Sequence, residues 1–105
     1  MVYWKYIKAN DETDGGNWNS NNISRLLHIL FCDKGPIRVE EDAEDDYINH
    51  HQHWVYHIYM ENGDWAWLQC TSRKVFDKIH DDVMKLDGKK LWFNGTFMIY
   101  ETVKR

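Results

Sequence analysis

The feature that most constrains the fold is an Asn-Gly dipeptide between two segments rich in aromatic and β-branched residues. The first segment, YINHHQHWVYHIYM, covers residues 47–60, and the second, WAWLQC, covers residues 65–70. Asn and Gly both tolerate positive φ, so this pattern is typical of a β-hairpin with a two-residue type I′ turn. It predicts two antiparallel strands joined at Asn62 and Gly63.

A two-residue turn also predicts which side chains share a face of the hairpin. It sets three pairs of residues opposite each other: Met60 and Trp65, Ile58 and Trp67, Tyr56 and Gln69. One face then carries the larger apolar side chains, those of Trp54, Tyr56, Ile58, Met60, Trp65 and Trp67. The other face suits close packing of a helix because it carries smaller residues: Val55, Ala66, Leu68 and Cys70. We expect the aromatic face to stay open as a binding surface.

Apolar residues recur at helical spacing in two places. Positions 23, 26, 27, 30 and 31 precede Gly35-Pro36, which predicts a helix over residues 22–34. Positions 75, 76, 79, 83 and 86 follow a capping residue at Thr71 or Ser72, and this second helix ends at Gly88.

The other segments predict strands and one loop. Residues 1–9 and 37–39 have strand-like composition, and a second Asn-Gly pair, at 94–95, joins strands near 89–93 and 96–103. Residues 10–20, NDETDGGNWNS, show no apolar periodicity and predict a loop.

These elements follow the order β-α-β-β-β-α-β-β over a single domain, residues 1–105. The order predicts an α+β fold in which two helices cover one face of a mostly antiparallel sheet. A ferredoxin-like core with an extra hairpin strand is one specific arrangement that fits it. No apolar run approaches the roughly 18 residues that a membrane span needs.

Acidic residues are concentrated in one short segment. Six of them stand within seven positions: Glu40, Glu41, Asp42, Glu44, Asp45 and Asp46. The stretch 36–71 as a whole holds one basic and eight acidic side chains. Such a block resists burial and predicts a solvated loop, and its electrostatic partner should be basic. The net charge of −4 also disfavours binding to duplex nucleic acid.

Tryptophan is frequent, with six in the chain. Trp18 stands in a polar predicted loop, where a core role is hard to assign, and Trp65 and Trp67 lie on the predicted open face. A tryptophan ring buries a large area with few rotamers to freeze. These three side chains are therefore candidate contacts for a partner or ligand.

Two other groups of residues favour different functions. The first places hydroxyls and cations at a predicted helix start and is a candidate anion site: Thr71, Ser72, Arg73 and Lys74. The second comprises three histidines on one face of a predicted strand, a candidate zinc site: His51, His53 and His57. Without a functional role, the first group is a set of surface charges at a helix start, and the second is a set of exposed histidines on a strand.

No nucleophile, metal-hydrolase or redox motif occurs in the chain. The N-terminal MVYWKYIKAN lacks a secretory signal, and Cys32 and Cys70 stand alone, which favours a cytoplasmic protein. The composition is similar to that of toxin-immunity proteins and phage-encoded inhibitors of host defences. This implies a non-enzymatic inhibitor of a basic partner such as a nuclease or defence protein. The alternatives are a nucleotide-binding protein and a metal-binding protein or enzyme that uses the cluster from His50 to His57.

Overall fold

The computed structural model describes residues 2–9, 13–18, 26–27, 30–46, 48 and 51–103. Within these ranges the chain forms seven strands and one helix. In chain order they are β1 (Val2–Ile7), β2 (Thr13–Trp18), β3 (Ile37–Asp46), β4 (His51–Met60), β5 (Trp65–Cys70), α1 (Arg73–Met84), β6 (Lys89–Phe93) and β7 (Met98–Thr102).

Five strands form one sheet, in the order β2-β1-β5-β4-β3, and β6 and β7 form a separate hairpin. Every pairing between these strands is antiparallel. The predicted α+β class with a mostly antiparallel sheet is therefore confirmed, as is the second Asn-Gly hairpin. The predicted element order is not confirmed. The ferredoxin-like arrangement is not confirmed either, because a βαβ unit requires a pair of parallel strands.

The prediction of a loop over residues 10–20 is wrong, because Thr13–Trp18 forms β2. This strand pairs with β1 along its whole length, from Ile7 opposite Thr13 to Val2 opposite Trp18. Gly, Asn and Asp have low β-propensity, but the backbone hydrogen bonds to β1 do not depend on side chains. An edge strand also tolerates a polar composition.

The acidic segment is likewise a strand and not the predicted loop. The predicted short strand 37–39 continues to Asp46, and the whole of β3 pairs with β4. β3 is the last strand of the sheet. At such an edge the backbone is paired on one side while the acidic side chains stay in water, and charge there also discourages aggregation.

α1 confirms the predicted second helix. Its N-cap is Ser72, whose Oγ accepts a hydrogen bond from the N–H of Val75 at 3.3 Å. The helix ends at Met84, before the predicted end, and Gly88 follows in the turn that leads to β6, with a φ of +74°. Backbone in this left-handed region favours glycine.

The predicted helix over 22–34 and the predicted strand over 47–60 fall partly outside the described ranges. In the predicted helix, four residues have helical backbone and buried side chains: Leu26, Leu27, Leu30 and Phe31. Cys32 already forms a β-bridge with Leu91, so helical conformation ends before residue 34. The strand begins as β4 at His51. Among the described segments, no helix has the length and apolar character needed to cross a bilayer.

The β4–β5 hairpin forms as predicted, but its register differs by one residue. Tyr59, and not Met60, lies opposite Trp65. The N–H of Met60 donates to the carbonyl of Asp64 at 2.9 Å, so the loop has three residues instead of two. Gly63, with a φ of +93°, is its last residue. A three-residue hairpin loop requires glycine in this conformation at that point.

Asp64, directly after this loop, joins it to β1 and to the residues that follow β1. Its buried carboxylate accepts hydrogen bonds from the hydroxyl of Tyr6 at 2.5 Å and from the N–H of Ala9 at 2.8 Å. The hydrogen bond from Tyr6 is the largest cause that lowers the pKa of Asp64. A one-residue shift moves every side chain of a strand to the opposite face. Trp65 and Trp67 therefore lie on the face opposite to the one that Tyr56 occupies.

The core lies between one face of the sheet and α1. Tyr56 is fully buried, stacks on Phe76 with ring centroids 4.3 Å apart, and donates a hydrogen bond to the Phe76 carbonyl at 2.6 Å. Other buried residues from β4 and β5 face the same core: Ile58, Met60, Ala66, Leu68 and Cys70. The prediction of the open face is thus wrong for its four β4 residues, which lie on the core side, and only its β5 tryptophans lie on the side that α1 does not cover.

Candidate functional site

The candidate site is the sheet face that α1 does not cover, which we call the open face. The strand registers align its side chains in three rows across the sheet: Ile7, Trp65, Tyr59 and Arg38; Lys5, Trp67, His57 and Glu40; Tyr3, Gln69, Val55 and Asp42. Glu44 and His53 extend it at one end. The aromatic rings in the middle of the face are half-buried, and the β3 side chains at its border are mostly exposed. The face therefore has an aromatic centre and a charged border.

Two cations lie over aromatic rings of the open face. Lys5 Nζ is 5.3 Å from the ring centroid of Trp67, and Arg38 Cζ is 4.6 Å from that of Tyr59. Arg38 also pairs with Glu40. The indole N–H of Trp67 is buried and has no hydrogen-bond partner among the described residues. The aromatic centre is thus ordered by cation–π contacts.

Carboxylates of β3 contact histidines of β4 along the border. Asp42 Oδ1 lies 2.9 Å from His53 Nε2, and Asp42 Oδ2 lies 3.6 Å from His57 Nε2. The hydrogen bond with His53 lowers the pKa of Asp42, and burial acts in the opposite direction. Glu44 lies 3.8 Å from His53 Nδ1. Negative charge is therefore maintained beside the aromatic centre.

The structure brings together only part of the predicted partner-binding set. Five of its members share the open face: Glu40, Asp42, Glu44, Trp65 and Trp67. Glu41 points to the α1 side of β3, where its carboxylate lies 2.8 Å from His80 Nε2. Three members have strand backbones, but their side chains lie outside the described part of the chain: Trp18, Asp45 and Asp46.

At the predicted anion site, two of the polar side chains at the helix start already have partners. Ser72 caps α1 with its hydroxyl, and Arg73 Nε lies 3.4 Å from Asp77 Oδ1. Thr71 and Lys74 are exposed beside them. An anion bound here would compete with the cap or with the Arg73–Asp77 pair.

The predicted zinc ligands are described only in part. His53 and His57 do project from one face of β4, as the strand prediction requires, and both contact Asp42. The side chain of His51 lies outside the described part. Across the described residues, no group of three or more His, Cys, Asp or Glu side chains is arranged to hold a metal ion.

A groove of about 520 Å³ lies on the other side of β3, between this strand and α1. Its lining combines acids, two basic side chains and one aromatic ring: Glu41, Ala43, Arg73, Phe76, Asp77, His80 and Asp81. His80 contacts Asp81 at 3.4 Å and Glu41 at 2.8 Å. The hydrogen bond with Asp81 raises the pKa of His80, burial opposes this, and the charge of Glu41 adds to it.

Among the members of the open face that the sequence analysis did not single out, three form its cation–π contacts: Lys5, Arg38 and Tyr59. The available signal was alternation, because charged residues occupy positions 38, 40, 42 and 44, as they do in a strand with one polar face. The run of acids obscured it by suggesting a loop. The groove had no signal of this kind, because it depends on the contact between α1 and β3.

Comparison with known proteins assigns this chain to no family: no family model, curated protein or solved structure matches it. Any statement about its function therefore depends on the geometry and charge of the surfaces described above.

Proposed function

We propose that this protein is a non-enzymatic binding protein that masks a basic surface of a partner protein, in the manner of a small acidic inhibitor or immunity protein. The observation that carries the proposal is the register of the sheet, which sets half-buried aromatic side chains beside the β3 carboxylates on the open face. Protein interfaces combine aromatic anchors with a polar, charged border in the same way.

Trp65 and Trp67 supply the apolar part of this surface. Their rings are half-buried between β1 and β4, so their positions are largely set before a partner arrives. A side chain that is already ordered loses little entropy on binding. Truncation of an anchor of this kind typically costs ~2 kcal/mol or more of binding free energy.

β3 supplies the electrostatic part. Glu40 and Asp42 are exposed at the border of the sheet, within a stretch of the chain that holds eight acidic residues and one basic residue. A concentrated field of one sign accelerates association with an oppositely charged partner, and salt weakens this effect. The same field repels phosphates, so it favours a basic protein over nucleic acid.

A nucleotide-like ligand is the second candidate, because Lys5 beside Trp67 offers a cation next to a ring. Three observations make it the weaker one. Lys5 already lies over the ring on which a base would stack, and the β3 border opposes a phosphate. Ser72 and Arg73 at the helix start already have contacts of their own.

The proposal can be tested with two variants of identical net charge. In the first, the six acids of residues 40–46 become amides: E40Q, E41Q, D42N, E44Q, D45N and D46N. In the matched control, six acids elsewhere are changed: D11N, E12Q, D33N, E61Q, D82N and E101Q. Proteins captured from a cell lysate are identified by mass spectrometry, and their association rates with wild type and both variants are measured at several salt concentrations.

The expected result is a basic protein that binds wild type and the control variant, and that associates with the β3 variant about tenfold more slowly or worse at low salt. W65A should also weaken its binding about thirtyfold, mainly by faster dissociation. If every captured protein binds the two charge variants equally well, β3 is not a recognition surface and the proposal is wrong.

A further inference from the structure

β3 is an edge strand, and the two ends of its outer edge differ. At its start, the carbonyl of Ile37 accepts a hydrogen bond from the N–H of Gly88 at 2.9 Å. The N–H of Val39 donates to Asp87 Oδ1 at 2.8 Å. Both groups point away from β4, so odd-numbered residues of β3 direct their backbone groups to the outer edge. The turn before β6 closes this edge as far as Val39.

Beyond Val39, no described residue pairs with the outer edge. By the same alternation, the N–H and C=O groups of Glu41 and Ala43 point outward, and no hydrogen bond joins them to any described residue. Both residues are exposed. An unpaired edge of this kind is a template on which another strand can form backbone hydrogen bonds.

The groove between β3 and α1 is lined by the same two residues. Glu41 and Ala43 form its β3 wall, and Phe76, Asp77 and Asp81 belong to its α1 wall. Side chains of an added strand would alternate between the two faces of the sheet. On one face they would meet Glu40 and Asp42, and on the other they would reach the groove.

We infer that the partner binds by adding a basic extended segment to the open part of β3, so that backbone hydrogen bonds form at Glu41 and Ala43 and its cationic side chains meet the acids on both faces. This inference rests on the proposed function and specifies its mode of binding. Main-chain pairing supplies affinity, and the acidic groove selects lysine or arginine at alternate positions. A second copy of the chain fits poorly, because it would set like charges opposite each other.

The test uses Ala43→Pro with Ala43→Thr as its matched control. Proline removes an outward N–H, and an edge position of this kind tolerates it. Threonine keeps the N–H and suits a strand. The probe is a synthetic peptide in which pairs of lysines alternate with pairs of threonines, so that both faces of the added strand carry lysine, together with an analogue of the same charge whose alternate backbone nitrogens are methylated. Circular dichroism and thermal unfolding first establish that both variants are folded.

Wild type and Ala43→Thr should bind the unmodified peptide about tenfold or more tightly than Ala43→Pro does, and wild type should discriminate against the methylated peptide by a similar factor. The methylated peptide tests the inference even if Ala43→Pro fails to fold. Equal binding of the two peptides to wild type, or no binding of either, overturns edge pairing.

Failure of the edge inference is distinguishable from failure of the proposed function. If the peptides bind equally but the β3 charge variant loses both, charge recognition stands and strand addition is wrong. If the β3 charge variant binds both peptides as wild type does, the proposed function itself is contradicted. Self-association of wild type that Ala43→Pro abolishes would assign the edge to a second copy and overturn the inference.

Discussion

Both faces of the five-stranded sheet carry aromatic side chains, but those on one face are removed from water and those on the other remain partly exposed. Tyr56 and Tyr59 both belong to β4. Tyr56 is fully buried and stacked on Phe76, whereas Tyr59 is half-buried beneath Arg38. Aromatic content therefore does not distinguish core from binding surface in this protein. The register of the hairpin and the position of α1 do, because they decide which side of each strand is removed from water.

The largest expected effect separates these two tyrosines. Tyr56→Ala leaves a cavity against Phe76 and should lower the free energy of unfolding by about 3–5 kcal/mol. Tyr59→Ala, on the same strand but on the open face, should lower it by about 1 kcal/mol or less. Urea denaturation followed by tryptophan fluorescence measures both. Comparable losses in the two variants would show that the open face is a second core.

An intermediate effect concerns the buried carboxylate of Asp64. Tyr6→Phe removes a hydrogen bond to Asp64 and should lower the free energy of unfolding by about 1–2 kcal/mol. Asp64→Ala, which also removes the bond from Ala9, should cost more. Glu61→Gln, in the same loop but exposed, is the control and should change it by about 0.5 kcal/mol at most.

The pH dependence of stability gives a second measure of the same contact. The pKa of Asp64 is lowered in the folded state. The carboxylate therefore stabilises the fold above the pKa of an unfolded aspartate, about 3.9, and this contribution is lost as the pH falls through the lower folded-state value. Tyr6→Phe should reduce this loss, so its unfolding free energy should vary less with pH than that of wild type in the acid range. Identical profiles would contradict the role given to Asp64.

The smallest expected effect concerns the contact of β3 with α1 on the covered face. The pKa of His80 is raised by Asp81 and Glu41, so its charged form adds stability below the unfolded pKa, about 6.5, and this is lost as the pH rises through the folded-state value. His80 is partly exposed, and the gain should stay below about 1 kcal/mol. Titration by NMR is the sharper measurement. Glu41→Gln should lower the pKa of His80, whereas Glu44→Gln, on the open face, should leave it unchanged.

The sequence predicted local features well and their alignment poorly. Asn62-Gly63 located a hairpin, and Ser72 was among the predicted caps of α1, because turns and caps depend on a few neighbouring residues. The register of that hairpin was not predicted, because an Asn-Gly pair fits both the two-residue loop that was expected and the three-residue loop that forms, in which Gly63 is the last residue. The four β4 residues of the predicted aromatic face were consequently assigned to the wrong side.

In the candidate site, too, the residue types were predicted but their arrangement was not. The acids of residues 40–46 were selected from their concentration in the chain and the tryptophans at 65 and 67 from the predicted hairpin face, and the structure sets most of these residues on the open face. Their conformation was not predicted, because β-propensity describes single residues, whereas an edge strand is stabilised by the neighbour with which it pairs. The groove beside Glu41 was not predicted either, since its α1 wall comes from a different part of the chain.

The sequence by itself determined the local elements: where the chain turns, where α1 begins, and where negative charge and aromatic rings are concentrated. Only the tertiary structure decided that β3 is an edge, that Trp65 and Trp67 lie on the uncovered face, and that Glu41 and Ala43 present an open backbone beside an acidic groove. The physical reason is the two-residue period of a strand. One extra residue in the hairpin loop changes the register by one residue, and a change of one residue exchanges the two faces.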